Sequence, residues 1–152
     1  LKRYGVKPVG RLDYNTEGLL LMTNDGDTAY RLTHPKFSGV KEYTAITRAP
    51  ISDEQLKILR SPIEIDGRMT KPALVHINIA AEDYSEFVIS ITEGRNRQVR
   101  RLCEAAGIDV YRLIRTKFNS LNLKGLKRGA WRHLTDEEVR LITNTPKKKV
   151  PK

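Results

Sequence analysis

The residues best equipped for chemistry sit near the start of the chain, in Gly10-Arg11-Leu12-Asp13. There one carboxylate and one guanidinium share a short loop, and the run Leu19-Leu20-Leu21-Met22 that follows is apolar enough to require burial. A carboxylate at the edge of a buried segment has its pKa and position set by neighbouring groups rather than by water, which suits a catalytic group. An Asp that caps a turn would give the same local pattern. Glu17 lies four residues on, and two nearby carboxylates are also the equipment of a glycoside hydrolase. Tyr43 is either a packed aromatic or a stacking surface. Arg100, Arg11 and Lys41 are either solvated cations or ion-pair partners, and spacing alone does not choose. One cysteine, Cys103, and three scattered histidines, His34, His76 and His133, make neither a metal-ligand set nor an internal disulfide. No metal site is therefore expected.

The elements that must hold these residues follow from periodicity and turn signals. A strand is expected over 19–23, ended by Asn24-Asp25-Gly26, and then a helix over 25–33 stopped by Pro35. Alternation over 41–48 predicts a strand with Tyr43, Ala45 and Thr47 on one face. Ser52 with Gln55 forms a capping-box pattern for a helix over 53–59, with Leu56 and Leu59 inward. Strands over 63–65, 73–79 and 87–91, joined by short turns, predict an antiparallel meander. A helix over 97–106, closed by Gly107, carries the apolar stripe Val99, Leu102, Cys103 and Ala106. Its Arg97, Arg100 and Arg101 oppose the helix dipole and call for an anion nearby. Further strands are expected over 110–115 and 130–134, and Thr135 with Glu138 caps a last helix to about Ile142. Strands with scattered helices make an α+β fold on a mixed or mostly antiparallel sheet.

The chain of 152 residues is long enough for one domain with a real core, and its net charge of +10 makes a polyanion the first partner to consider. Residues 91 to 134 carry eleven Lys and Arg against three acids, a concentration that solubility does not require. The basic end, from Pro146 to Lys152, reads as a disordered tail. No stretch reads as a signal peptide, no apolar run approaches membrane-spanning length, and a single Cys suits a reducing compartment. Composition and period alone thus lead to a basic α+β domain that binds RNA or DNA.

The wording of the motifs leads further. The run from Gly10 to Gly26, GRLDYNTEGLLLMTNDG, closely resembles the signature of the RsuA-like family of ribosomal RNA pseudouridine synthases. Lys41-Glu42-Tyr43, the run EGRNRQVRRL from Glu93 to Leu102, the run VYRLIR from Val110 to Arg115, and the segment from Leu121 to Leu134 resemble it too, in order, between about Pro8 and Ile142. The resemblance implies the pseudouridine synthase core, a bent mixed sheet with flanking helices and a central cleft. It implies that Asp13 is the essential aspartate, Tyr43 the tyrosine against the target base and Arg100 the basic residue that pairs with the aspartate. Arg11 matches an arginine linked to base flipping, and Leu113, beside Leu12, an apolar residue of the pocket. Lys41, Arg95, Arg97, Arg101 and Arg115 are the remaining expected RNA-binding cations. The implied activity is isomerisation of uridine to pseudouridine in ribosomal RNA, on a base extruded from its stack at a cost of a few kcal/mol. It needs no cofactor or metal, and a cytoplasmic monomer off the membrane is expected. Phe118-Asn119 departs from an Ile-Gly pair common in the family, and an opening strand and small N-terminal RNA-binding domain of relatives have no counterpart before the first motif. Residues 1–143 are therefore expected to form an N-terminally truncated catalytic domain, and 144–152 the tail. A non-catalytic RNA-binding module is the alternative from another class, and the hydrolase is a third.

Overall fold

Strand β4 (Lys41–Thr47) lies at the centre of the main sheet. It is flanked by β9 (Val110–Phe118) and β8 (Ser85–Ile91); β10 (Leu121–Asn122) continues beyond β9 and β7 (Leu74–Ala80) beyond β8. All these neighbours are antiparallel, whereas β2 (Thr16–Gly18) joins β9 in parallel. The sheet is thus mixed and mostly antiparallel, as expected. The meander is not continuous: β7–β8 and β9–β10 are hairpins, and β4, from earlier in the chain, inserts between them. The structure is a computed structural model that describes residues 2–34 and 39–148, with side chains over 3–34 and 39–143.

The core follows from strict alternation in β8, where Ser85, Phe87, Ile89 and Ile91 are buried and the residues between them are not. Helices α2 (Asp53–Leu59) and α3 (Gln98–Ala105) cover that face and contact each other. α2 has the expected capping box, with the Gln55 N–H donating to Ser52 Oγ and the Ser52 N–H to Gln55 Oε1. Leu59 is buried, and so is the full stripe of α3, Val99, Leu102, Cys103 and Ala106. A second cluster joins Val9, Leu21, Leu32, Phe118, Leu121 and Ile142. It is built by α1 (Gly26–Thr33), α4 (Asp136–Lys148), the β9–β10 hairpin and the pair β1 (Lys7–Pro8) with β3 (Met22–Thr23).

Three expectations need correction. The strand over 19–23 is split. Pairing with β9 stops at Gly18, the Leu19 N–H donates to the Arg115 carbonyl, and the chain then crosses to meet β1 at Met22. Leu20 is accordingly exposed, although its neighbour Leu21 is buried. Residues 130–134 form no strand. Trp131 and His133 instead pack edge-on with each other and with Tyr4, and Arg132 is held by Glu138. The last helix runs past Ile142 to Lys148, so residues 144–148 of the expected tail are helical; 149–152 and the Pro35 helix stop lie outside the described residues.

The Phe118-Asn119 departure is accommodated. Asn119 adopts φ 55°, a left-handed conformation that Asn tolerates better than other side chains, and its N–H donates to the Val40 carbonyl at 2.8 Å.

Candidate active site

A cleft of about 560 Å³ crosses the middle of the sheet and is lined by members of both apolar clusters. Its floor comes from β4 and β9. Lys41 and Tyr43 share one face of β4, and Leu113 and Arg115 share one face of β9. Phe118 would face away from them if alternation held. The β4–β9 register slips between Glu42 and Tyr43, so that Lys117 pairs with Glu42, Arg115 with Tyr43, and Thr116 with neither. The extra residue reverses the parity and brings Phe118 onto the same floor.

One wall is the loop from Gly10 to Thr16, which carries Arg11, Leu12 and Asp13. The Thr16 N–H donates to the Asp13 carbonyl at 2.9 Å and tightens the turn. The opposite wall is the approach to α3. Gln98, buried at 3 % exposure, donates to Glu93 Oε1 and accepts from the Arg95 N–H. Glu93 also accepts from the Lys71 N–H. Burial alone would push the Glu93 carboxyl up, but these donors and the Arg95 and Lys71 charges hold it below its ordinary value. This network sets Arg97, the N-cap of α3, at φ 54° and ψ 33°, a left-handed conformation that costs an arginine roughly 1–2 kcal/mol. Gln98 and Glu93 lie within the EGRNRQVRRL motif, but their part in it has no sequence signal, because hydrogen bonds between side chains around a loop have no periodicity.

The Asp13 carboxylate is 20 % exposed, and its ion-pair partner is Arg97, at 3.8 Å. This corrects the expected pairing with Arg100. The Arg100 guanidinium instead donates to the Asn15 carbonyl at 2.6 Å and to Thr16 Oγ1 at 3.3 and 3.1 Å. Arg100 is half-buried and feels the Asp13 charge only through space. It fastens the aspartate loop to α3 rather than binding the carboxylate.

The other cations divide. Arg11 is exposed and donates to Asn96 Oδ1 at 3.2 Å across the mouth. Arg95 lines the cleft, but its guanidinium donates to the carbonyls of Ile65, Arg68 and Met69. It clasps the hairpin of β5 (Glu64–Ile65) and β6 (Arg68–Met69). Arg101 pairs with Asp66 of the same hairpin at 2.7 Å and does not line the cleft. Arg115 is 5 % exposed, at the floor. Burial lowers the Lys41 pKa, with a further push from the Arg115 charge. Burial raises that of Tyr43, so the phenol keeps its proton at neutral pH.

Glu17 stands apart. Arg112 grips it with two hydrogen bonds of 2.8 Å, which hold its carboxyl below the ordinary value, and it does not line the cleft. The carboxylate pair of a hydrolase is therefore not assembled. Cys103 is buried, and its thiol is pushed up to about 12. Among the described residues no group of three or more His, Cys, Asp or Glu comes together to hold a metal, and no helix is long and apolar enough to cross a membrane.

Against known proteins, residues 1–105 match a family model described as RNA pseudouridylate synthase. The chain is 42 % identical over 139 residues to the ribosomal large subunit pseudouridine synthase B of Bacillus subtilis, covering 90 % of this chain and 57 % of that protein. It is 35 % identical over 151 residues to the dual-specificity RNA pseudouridine synthase RluF of Shigella flexneri, covering 97 % and 51 %. A crystal structure of a pseudouridylate synthase superposes with a TM-score of 0.77 at 31 % identity, covering 90 % of this chain and 59 % of that one. The chain spans about half the length of the curated relatives it matches.

Proposed function

The chain belongs to the RNA pseudouridylate synthase family, and from that premise we propose that it isomerises specific uridines of ribosomal RNA to pseudouridine. The observation that carries this reading is the meeting of Asp13, Tyr43 and the Arg97 and Arg100 guanidinia around one cleft. Its volume suits a single extruded nucleoside.

The reaction detaches uracil from C1′ at N1 and rejoins it through C5, after which the C5 proton is lost. Asp13 is the essential carboxylate acting on the nucleotide. Arg97 keeps it charged and Arg100 keeps its loop in place. Tyr43 presents its ring to the base. With its pKa raised by burial, its hydroxyl takes part in proton movement as a donor or through a relay, not as a phenolate. Arg11, exposed at the mouth, is placed to enter the space the base leaves. The same proposal takes in ribosomal RNA as the partner, residues 1–143 as the catalytic domain, and a monomer working in the cytoplasm.

The test is tritium release from ribosomal RNA labelled at uracil C5. Release by the wild-type chain is expected. Asp13→Asn should abolish release while RNA binding stays within about threefold. Equal release by Asp13→Asn would overturn the role of the aspartate; binding without any release by the wild type would favour a non-catalytic RNA-binding module.

A further inference from the structure

Resting on that reading, we propose that Arg115 holds the detached uracil, stabilising the negative charge the ring carries between leaving C1′ through N1 and returning through C5. Three observations converge on this residue. The residue is almost wholly enclosed, at 5 % exposure, on the cleft floor directly opposite Tyr43 across the β4–β9 ladder. Its Nε donates to the Leu19 carbonyl at 2.9 Å, which fixes its direction, and its guanidinium also reaches the Tyr43 hydroxyl, while Nη2 is buried and has no hydrogen-bond partner among the described residues. Buried donors are almost always paired, so an unpaired one beside a cleft points to a ligand acceptor. Finally, the guanidinium carbon lies 5.3 Å from the Phe118 ring centroid, and Lys41 Nζ lies 5.8 Å from the same centroid. Two cations thus border one aromatic ring of the floor.

The position selects the anion. Phosphates stay with the RNA backbone at the cleft mouth, and only the base reaches the floor. Neutral uracil offers Arg115 a carbonyl oxygen. When the C1′–N1 bond breaks, its electron pair goes to uracil, and Asp13 meets the electron deficiency at C1′. The ring is then an anion whose charge spreads over N1 and the carbonyl oxygens. A bond next forms from C5 to C1′, Asp13 is released, the C5 proton departs and N1 takes up a proton, so atoms and charge balance. The Arg115 contact is strongest while the ring is charged, so it accelerates the reaction rather than merely tightening binding. It also keeps the free ring from drifting out of the cleft.

The experiment compares the wild type with Arg115→Met on ribosomal RNA tritiated at uracil C5, reading single-turnover release and, separately, RNA affinity by filter binding. The expected result is release slowed on the order of 10²-fold, with Kd within about threefold of wild type. Arg115→Lys should slow release about tenfold at unchanged Kd, and it decides the matter if Arg115→Met loses its near-UV circular dichroism. An unchanged rate, or a loss confined to Kd, overturns the proposal. No release by the wild type would overturn the isomerase reading and this role with it. Release by the wild type with equal release by the variants overturns the Arg115 role alone.

Discussion

Asp13 draws its surroundings from two directions: its own loop and the start of α3. Arg97 meets the carboxylate, and Arg100 ties Asn15 and Thr16 to the helix. A guanidinium that bonds a loop rather than a substrate acts by position, and small misplacements near a reacting atom cost up to about 10²-fold in rate. Arg100→Met is therefore expected to lower kcat between about tenfold and a hundredfold with KM little changed. Thr16→Val should lower it less, and should add nothing in the Arg100→Met background, because both remove one contact. Steady-state kinetics on the four proteins of this cycle check it; strictly additive losses would exclude a shared function. The Asp13 motif was plain in the sequence, but the choice between Arg97 and Arg100 was not. Both face the loop from one helix end, and only the left-handed turn at Arg97 decides which reaches the carboxylate.

Strand β2 shows how an element depends on one missing side chain. Gly18 has φ 115°, and a Cβ there would land inside the backbone of Arg115 on β9. Gly18→Ala is expected to destabilise by at least about 2 kcal/mol, a fall of roughly 4–8 °C in Tm by calorimetry. Tritium release should fall with it, because the same backbone carries the cleft floor. At the other end of the chain, α4 starts with a capping box: the Glu138 N–H donates to Thr135 Oγ1, and Glu138 Oε1 accepts from the Thr135 N–H. The Arg132 grip, with help from Thr135, lowers the Glu138 pKa to about 2. A depressed carboxyl pKa contributes stability that is present above the ordinary value of 4.5 and is lost as pH falls toward about 2. Glu138→Gln should thus lower the denaturant midpoint at pH 7, and the gap to wild type should narrow progressively below pH 4.5. A gap that does not change with pH would mean the carboxylate charge is not what holds α4. Both helix caps were legible in sequence because a capping box is local. The split of the strand over 19–23 was not, since the partner that ends it, β9, lies almost a hundred residues away.

For the whole molecule, the net charge of +10 predicts RNA affinity that falls steeply with salt. The structure divides the cations that carry it. Arg11→Ala, which removes an exposed charge at the cleft mouth, should reduce the slope of log Kd against log salt by roughly 0.7. Arg95→Ala should leave that slope almost unchanged and lower Tm instead, because its guanidinium closes the β5–β6 hairpin. Filter binding across a salt series, with calorimetry alongside, tests both. By itself the sequence determined the α+β class, the helix caps, the apolar stripe of α3 and the motifs that carry the family likeness, because each is a matter of local spacing or residue identity. Only the tertiary structure decided which arginines line the cleft and which bond to neighbouring loops, that Glu17 stands outside the cleft, and that a one-residue bulge at Thr116 turns Phe118 onto the floor beside Arg115. Charge and period are the same for a paired cation and a free one; the difference lies in which distant strand or loop packs against it, and that is settled when the sheet closes.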